Sequence, residues 1–290
     1  MGAGTKLRQV LAKNGLIEAM AAHSPLSAML VAEAGFDAVW ASGFELSAAY
    51  GLADVSLVSI SQHLDMVRAM AQRSGLPVVA DIDTGFGNAI NVLYAIEQYE
   101  AAGVGAIVME DKSFPKVTSL VADGRQEMVR IEEFQGKLEA ARNARCDADI
   151  ILVASTEALI AGLGQEEALK RAHAYEAAGA DMVLVHSKQK TPDEIEAFVK
   201  AWTGKVPIAL VPTAYPQMTV ARVKELRKIG LLIWGNHAIR ASVGAMRATF
   251  AQISKDGGIH GVESKIATVD QIFDLQGMKA VKDNEKRFLR

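Results

Sequence analysis

Two aspartates follow an apolar run in the stretch V-V-A-D-I-D-T-G-F-G-N, residues 78–88, and could bind a divalent cation or act as an acid/base pair. Asp81 and Asp83 are two positions apart, and side chains two apart in a strand point to the same face. A second apolar run, A-I-V-M-E-D, ends with Glu110 and Asp111. Carboxylates at the ends of neighbouring strands supply the oxygen ligands that Mg²⁺ prefers, so the sequence predicts a Mg²⁺ site. For a single aspartate, a turn or helix cap would be the better interpretation.

Eight apolar runs along the chain are candidates for strands. They are continuously apolar rather than alternating, which is typical of parallel strands covered on both faces. The predicted strands are Leu16–Ala22, Ala38–Ser42, Val78–Asp83, Ala106–Asp111, Ile150–Ser155, Met182–His186, Ile208–Val211 and Leu231–Gly235.

Helical patterns separate these runs, and two of them have clear start signals. In T-P-D-E, Thr191 is predicted as the N-cap with Pro192 in the first turn, and Thr219 is predicted to begin another helix. The predicted helices are Ser59–Ser74, Ala89–Ala102, Ile131–Arg145, Gln165–Ala178, Thr191–Trp202 and Thr219–Ile229.

Eight strand–helix units predict an α/β fold, the (β/α)8 TIM barrel. An open doubly wound sheet is the alternative, but the G-x-G-x-x-G turn typical of such sheets is absent from the sequence. We expect residues 1–290 to form one domain, with the barrel over about residues 14–256. The extension over about residues 257–290 contains two amphipathic segments, Thr268–Leu275 and Met278–Phe288, which we expect to cover this barrel or a neighbouring subunit.

Composition excludes several classes of function. Of 290 residues, 50% are hydrophobic, and the net charge of −3 is spread along the chain, so no basic stripe favours nucleic acid. No apolar run approaches the roughly 20 residues that span a bilayer, and the N-terminus lacks the apolar segment of a signal peptide. The single cysteine, Cys146, cannot form an intrachain disulfide. These features predict a cytoplasmic protein without a membrane or nucleic-acid partner.

In a TIM barrel the active site lies at the carboxyl ends of the strands. Those ends carry a polar, acidic ring with few cations, and only loops add more, chiefly Lys116, Arg125 and Lys188. The strand-end residues are His23, Ser24, Trp40, Ser42, Gly43, Asp81, Asp83, Glu110, Ser155, Glu157, His186, Pro212, Thr213, Asn236 and His237.

Long ordered motifs over nearly the whole chain resemble the phosphoenolpyruvate mutase / isocitrate lyase superfamily, and within it the branch that hydrolyses phosphonopyruvate. The matching stretches are W-A-S-G-F-E-L-S (40–47), A-D-I-D-T-G-F-G-N (80–88), M-E-D-K-S-F-P-K (109–116), D-G-R-Q (123–126), R-I-E-E-F-Q-G-K (130–137), E-A-L-I-A-G-L-G (157–164), Q-K-T-P-D-E-I (189–195), L-V-P-T-A-Y-P (210–216) and G-N-H-A-I-R-A (235–241).

The resemblance implies a metal site and a subsite for a 2-oxo acid. Asp81 would bind Mg²⁺ directly, with Mn²⁺ as a substitute, while Asp83 and Glu110 would act mostly through metal-bound waters. The backbone amides around Ser42, Gly43 and Phe44 would bind a carboxylate or enolate oxygen. Trp40 would pack against the planar pyruvyl unit, its alternative being an aromatic that fills the barrel.

The resemblance also implies catalytic residues. Asp54 would face the transferring phosphoryl group, and Asp111–Arg125 would be a gating loop that carries Lys116. Carbon–carbon lyases of the superfamily have a K-K-C-G-H segment there, whereas this chain reads K-S-F-P-K-V-T-S-L without a cysteine. Mutases typically have Asn where this chain has Thr118, whose hydroxyl could hold a water for attack on phosphorus; a neutral loop substitution is the alternative.

One departure from the family concerns Ser155. Relatives that act on phosphonopyruvate usually have Arg there, in A-R-V-E-A, to clamp the phosphonyl oxygens, whereas this chain reads A-S-T-E-A. Lys188 could replace it in part, and His186 is then the remaining candidate for a phosphonyl contact. Its alternative is a hydrogen-bonded histidine at the top of the barrel.

The expected activity is Mg²⁺-dependent hydrolysis of phosphonopyruvate to pyruvate and phosphate. The alternatives are interconversion of phosphoenolpyruvate and phosphonopyruvate, a different 2-oxo acid substrate allowed by Ser155, and a non-catalytic binding protein on the same barrel. The superfamily further implies a homo-oligomer, a dimer of dimers with C-terminal helices swapped between subunits.

Overall fold

Eight parallel strands close into a barrel in the computed structural model, which describes residues 1–119 and 126–289. Each strand pairs with the next along the chain, and β8 pairs with β1. The predicted TIM barrel and its eight strands are confirmed, with ends that differ by up to two residues. The strands are β1 (Ile17–Ala22), β2 (Ala38–Ala41), β3 (Val78–Asp81), β4 (Val104–Glu110), β5 (Ile151–Thr156), β6 (Met182–Val185), β7 (Ile208–Leu210) and β8 (Ile229–Trp234).

Twelve α-helices occur in the described part of the chain, with two short 3₁₀ segments at Pro212–Ala214 and Glu263–Lys265. The helices are α1 (Ala3–Asn14), α2 (Pro25–Glu33), α3 (Gly43–Ala49), α4 (Ile60–Ser74), α5 (Ala89–Ala101), α6 (Ile131–Ala144), α7 (Gly164–Ala177), α8 (Asp193–Ala201), α9 (Val220–Leu226), α10 (His237–Asp256), α11 (Val269–Gln276) and α12 (Met278–Phe288).

Two helix boundaries differ from the sequence predictions by two residues or more, and the other boundaries of the predicted helices lie within one residue. Helix α8 has Pro192 at its N-cap position, and the Thr191 hydroxyl donates to the Asp193 carboxylate instead of capping the backbone. Helix α9 ends at Leu226 and not at Ile229, because Arg227 adopts the left-handed conformation (φ 57°) and Ile229 already belongs to β8. Thr219 is the N-cap of α9, as predicted, and its hydroxyl accepts a hydrogen bond from the backbone amide of Arg222.

The barrel belongs to a unit formed by residues 1–237. Its inward-facing side chains, among them Ile17, Val79 and Leu231, form one apolar cluster inside the barrel. Leu7 of the N-terminal helix α1 is fully buried in the same cluster. A Cβ added at Gly105 would lie 2.8 Å from the side chain of Leu7, so glycine permits the close approach of α1 to β4. Helix α1 was not predicted and covers the amino-terminal end of the barrel.

Residues 238–290 form a second unit, of which 238–289 are described. It consists of α11, α12 and nearly all of α10, and large apolar side chains on these helices are exposed, including Phe250, Phe273 and Phe288. The organisation of residues 1–290 as one domain stays a prediction. Among the described residues, no helix combines the length and apolar character needed to cross a membrane.

Candidate active site

Three carboxylates converge at the carboxyl end of the barrel. Asp81 is the last residue of β3, Glu110 is the last residue of β4, and Asp83 lies in the turn after β3. One ligand oxygen from each lies within 4.8 Å of the other two. A divalent cation with oxygen ligands fits such a group, because its charge would offset carboxylates held this close together.

Asp83 reaches the cluster by a route that differs from the prediction. Strand β3 ends at Asp81, so Asp83 is not a strand residue on the same face of the sheet. Asp83 instead adopts the left-handed conformation (φ 53°), followed by Gly85 (φ 84°) and Phe86 (φ 60°). The backbone amide of Glu110 donates to the Asp83 carbonyl at 2.8 Å, which ties this turn to the end of β4.

Asp111, considered above as a further carboxylate of this cluster, points away from it. One carboxylate oxygen of Asp111 accepts hydrogen bonds from the Tyr175 hydroxyl at 2.6 Å and from the Arg171 guanidinium at 3.2 Å. The other accepts from the backbone amide of Glu157 at 2.9 Å. Asp111 therefore holds helix α7 and the end of β5 in place, and the expectation of a fourth carboxylate in the cluster is wrong.

Lys116 contacts the carboxylates from the loop after β4. Its ammonium lies 2.6 Å from Asp83 Oδ1, 3.1 Å from Asp54 Oδ1 and 3.3 Å from Glu110 Oε1. Burial alone would lower the pKa of Lys116, but the surrounding carboxylates raise that pKa well above its usual value, so the side chain stays charged. Lys116 therefore joins the carboxylate cluster to Asp54, as expected if both belong to one site.

The residues fit a divalent cation by the balance of charge as well as by geometry. Burial raises the pKa of Asp81 to about 8; Lys116 lowers this pKa, while Asp83 and Glu110 raise it. Burial likewise raises the pKa of Asp83 to about 6. Burial also acts to raise the pKa of Glu110, but Lys116 and Lys112 outweigh it and lower that pKa to about 2. The raised pKa values mean that negative charge on Asp81 and Asp83 is disfavoured with Lys116 alone nearby, and a divalent cation would favour their charged forms.

The absence of a side chain at Gly43 leaves space for the carboxylates of Asp81 and Asp83. Its backbone amide donates to Asp81 Oδ2 at 3.1 Å. A Cβ at this position would lie 2.6 Å from Asp83 Oδ1, so a side chain would intrude on the carboxylates. The expectation that the amides of Ser42, Gly43 and Phe44 bind substrate stays a prediction. In this structure the Gly43 amide donates its hydrogen bond to Asp81.

A cavity of about 540 Å³ lies above the cluster. Trp40 at the end of β2 is part of its wall and is 6% exposed, while the ring of His186 is half-buried at the end of β6. The lining residues are Trp40, Ser42, Phe44, Asp54, Asp81, Glu110, Lys116, Thr118, Ser119, Ile160, His186, Ser187, Lys188, Lys190, Val211, Thr213, Ala214, Gly235 and Asn236. Most residues expected from the sequence therefore share one cavity, with the exposed Lys188 at its edge.

Ser155 and Gly43 are the exceptions among the expected substrate-binding residues, because neither is among the described residues that line the cavity. Ser155 is 1% exposed. Its hydroxyl lies 3.3 Å from Glu157 Oε1 and donates to it. The ring of His186 is 3.9 Å from the same oxygen, so Glu157 lies between Ser155 and His186.

Sequence analysis did not assign roles to the ion pairs around Glu157. The ammonium of Lys112 lies 3.4 Å from Glu110 Oε2 and 3.3 Å from Glu157 Oε2. The Ser119 hydroxyl donates to Glu157 at 2.6 Å, which joins the loop after β4 to the end of β5. The only signal in the sequence was the position of Lys112 directly after the strand-end acids. Arg125 and the rest of residues 120–125, which belong to the expected gating loop, lie outside the described residues.

A (β/α)8 barrel with a carboxylate cluster and a buried lysine at its carboxyl end defines the class of metal-assisted barrel enzymes. Within that class the chain belongs to the phosphoenolpyruvate phosphomutase family, whose model matches residues 7–254. It is 59% identical over 284 residues to a phosphonopyruvate hydrolase from Variovorax sp. (strain Pal2), with 98% of each chain covered. It is 42% identical over 285 residues to a phosphoenolpyruvate phosphomutase from Tetrahymena pyriformis, which covers 98% of this chain and 95% of that relative.

The solved structures agree with this family. The crystal structure of a phosphonopyruvate hydrolase complex with oxalate and Mg²⁺ superimposes with a TM-score of 0.94 at 56% identity, with all of both chains covered. The family and the barrel expected from the sequence are therefore confirmed.

Proposed function

We propose that this chain is a Mg²⁺-dependent enzyme that hydrolyses phosphonopyruvate to pyruvate and phosphate. The observation that carries the proposal is the cluster of Asp81, Asp83 and Glu110 in contact with Lys116, in a chain 59% identical to a phosphonopyruvate hydrolase. The three carboxylates would hold Mg²⁺. The preference for Mg²⁺ is supported by the relative solved with that ion, and the use of Mn²⁺ as a substitute is part of the proposal.

The reaction needs one water and places negative charge on carbon. The water oxygen forms a bond to phosphorus as the phosphorus–carbon bond breaks, and the electron pair of that bond stays with the methylene carbon as an enolate. The water gives up a proton, and the methylene carbon takes one to complete pyruvate. Bound Mg²⁺ would supply positive charge that stabilises the enolate oxygen.

The residues of the cavity have distinct roles in this proposal. Trp40 packs against the planar pyruvyl unit, and Lys116 keeps Asp54 and the metal cluster in one arrangement. Thr118, whose carbonyl accepts a hydrogen bond from Gln126 at 3.2 Å, orients the attacking water with its hydroxyl. His186 contacts a phosphonyl oxygen. Phosphoryl transfer of this kind depends on positioning more than on covalent help from the protein.

The direct test is to follow phosphate and pyruvate released from phosphonopyruvate in the presence of Mg²⁺. Equal amounts of both products support hydrolysis. Phosphoenolpyruvate as the product, without phosphate, would favour the mutase activity instead. Oxalate binding without turnover of phosphonopyruvate would contradict the proposal and favour another 2-oxo acid substrate or a non-catalytic protein.

Ser155 favours the altered 2-oxo acid substrate as a second candidate. The resemblance implies an arginine at this position that would bind the phosphonyl oxygens, whereas Ser155 is buried and its hydroxyl donates to Glu157. Lys188 and Lys190, both exposed at the cavity, supply the remaining positive charge for a phosphonyl group. A 2-oxo acid with a less charged group in place of the phosphonyl group would need neither lysine.

We expect the protein to form a homo-oligomer, a tetramer built from dimers that exchange their C-terminal helices. The exposed apolar side chains of residues 238–289, such as Phe250 (63% exposed) and Phe288 (64% exposed), support an interface with a second copy. Light scattering at micromolar concentration measures the mass, and a monomer would refute this expectation.

A small-molecule substrate and a location in the cytoplasm complete the proposal. The cytoplasmic location is supported by the single cysteine.

A further inference from the structure

The turn that carries Asp83 into the metal cluster has an unfavourable backbone. Asp83 and Phe86 have side chains but adopt the left-handed conformation, with φ of 53° and 60°. Gly85 cannot be replaced without conflict, because an added Cβ would lie 2.6 Å from Val92 and 2.9 Å from Met109. Such a turn keeps its shape only when the surrounding structure holds it.

Packing and backbone hydrogen bonds support the turn from two sides. The Glu110 amide donates to the Asp83 carbonyl from β4. The ring of Phe86 stacks near Tyr99, with 6.3 Å between ring centroids, and meets His63 edge-on at the same distance. These contacts hold the beginning of the turn and its fourth residue, and the Gly85 amide donates to the Ile82 carbonyl at 2.9 Å. The Thr84 carbonyl accepts a hydrogen bond from another group.

That group is Lys137, from helix α6. Its ammonium donates to the Thr84 carbonyl at 2.9 Å, the one hydrogen bond that its side chain makes within the described residues. Lys137 is 2% exposed, and burial lowers its pKa while Glu133, one turn earlier in α6, opposes this. An apolar side chain of similar length would fill this space without the cost of removing a charge from water. A buried lysine at this position therefore indicates a role for its charged donor.

We propose that Lys137 is a positioning residue of the metal site, which fixes the Thr84 carbonyl and thereby aims Asp83 at the cation. Asp83 is thus held from two directions, since Lys116 contacts its carboxylate and Lys137 contacts the backbone of the next residue. This role rests on the proposed function only in that the three carboxylates must bind Mg²⁺. Residues that orient metal ligands in this way typically change metal affinity on the order of 10-fold or more when they are removed.

Calorimetric titration with Mg²⁺ alone, without substrate, tests the role of Lys137. We expect Lys137→Met to raise the Kd for Mg²⁺ by about 10-fold. Lys137→Arg, which keeps a charged donor, should restore most of the affinity. Leu138→Ala is the matched control, because Leu138 is the next residue of α6 and is 1% exposed in the core. It should lower Tm and leave the Kd for Mg²⁺ unchanged.

The possible outcomes separate this role from general stability and from the proposed function. An unchanged Kd in Lys137→Met, or an equal loss of affinity in Leu138→Ala, would overturn the role of Lys137. If Lys137→Met does not fold, Lys137→Gln takes its place, and a raised Kd supports the role whereas an unchanged Kd overturns it. A parent protein that binds no Mg²⁺ would contradict the metal site itself, while a parent and a Lys137→Met variant that bind equally well contradict only the positioning role.

Discussion

Replacing Asp81 with alanine should abolish metal-dependent turnover, with a loss on the order of 10³-fold or more in kcat/KM. Asp81 lies at the end of β3, accepts a hydrogen bond from the Gly43 amide, and contributes to the carboxylate cluster with Asp83 and Glu110. Without its carboxylate, the remaining groups cannot hold a cation where charge develops on the substrate. The chelator EDTA should have the same effect on the parent, and added Mg²⁺ or Mn²⁺ should restore activity.

Initial rates of pyruvate formation across a Mg²⁺ titration measure this effect. Asp65→Ala is the control, because the Asp65 side chain is 77% exposed on helix α4 and contacts Arg68 on the surface. That variant should keep the parent rate and the parent dependence on Mg²⁺. Metal-dependent turnover that survives in Asp81→Ala would remove Asp81 from the metal site.

Ser155→Arg should raise kcat/KM for phosphonopyruvate if this substrate is the natural one. A bidentate charged contact to a phosphonyl group typically contributes about 1.5–3 kcal/mol, or roughly 10- to 150-fold. The structure adds a competing partner for the new guanidinium, because Glu157 already accepts the Ser155 hydroxyl. An increase in kcat/KM near 10-fold, the lower end of this range, would indicate that the new arginine still donates some of its hydrogen bonds to Glu157.

Lys188→Ala and the parent protein complete the comparison. If Lys188 has taken over the phosphonyl contact, Lys188→Ala should lower kcat/KM for phosphonopyruvate by a similar factor. Ser155→Arg should then raise kcat/KM only slightly. If the natural substrate lacks a phosphonyl group, the parent should turn over phosphonopyruvate negligibly, and neither variant need change this. Rapid parent turnover that neither substitution affects would show that the phosphonyl subsite lies elsewhere in the cavity.

The strands and the family were predictable because they depend on local sequence. Parallel strands buried on both faces are continuous apolar runs, and all eight were found in this way. The proximity of Asp83 to Asp81 was also predicted, but from the incorrect assumption that both residues lie in one strand. The spacing of Asp81 and Asp83 alone could not show that β3 ends at Asp81 and that Asp83 reaches the cluster through a left-handed backbone.

Other parts of the site depend on residues far apart in the chain. Asp111 looks like a metal ligand in the sequence because it adjoins Glu110, and only the distant Arg171 and Tyr175 show where it points. The contacts of the buried lysines, Lys112 and Lys137, were equally hard to predict. Each is an ordinary polar residue in sequence, and the carboxylate or carbonyl that it contacts comes from another strand or turn.

Helix α1 has a consequence for the order in which the chain can assemble during synthesis. The guanidinium of Arg8 donates to the Asp149 carbonyl, 141 positions later, and to the Asp181 carboxylate, 173 positions later. Helix α1 therefore has no complete docking surface until the sixth strand begins to emerge from the ribosome. Such distant contacts are formed late in folding, because closing a long loop has an entropic cost. Before β4 emerges, the apolar face around Leu7 also lacks its partner at Gly105, and an exposed apolar face of this kind is a binding site for chaperones.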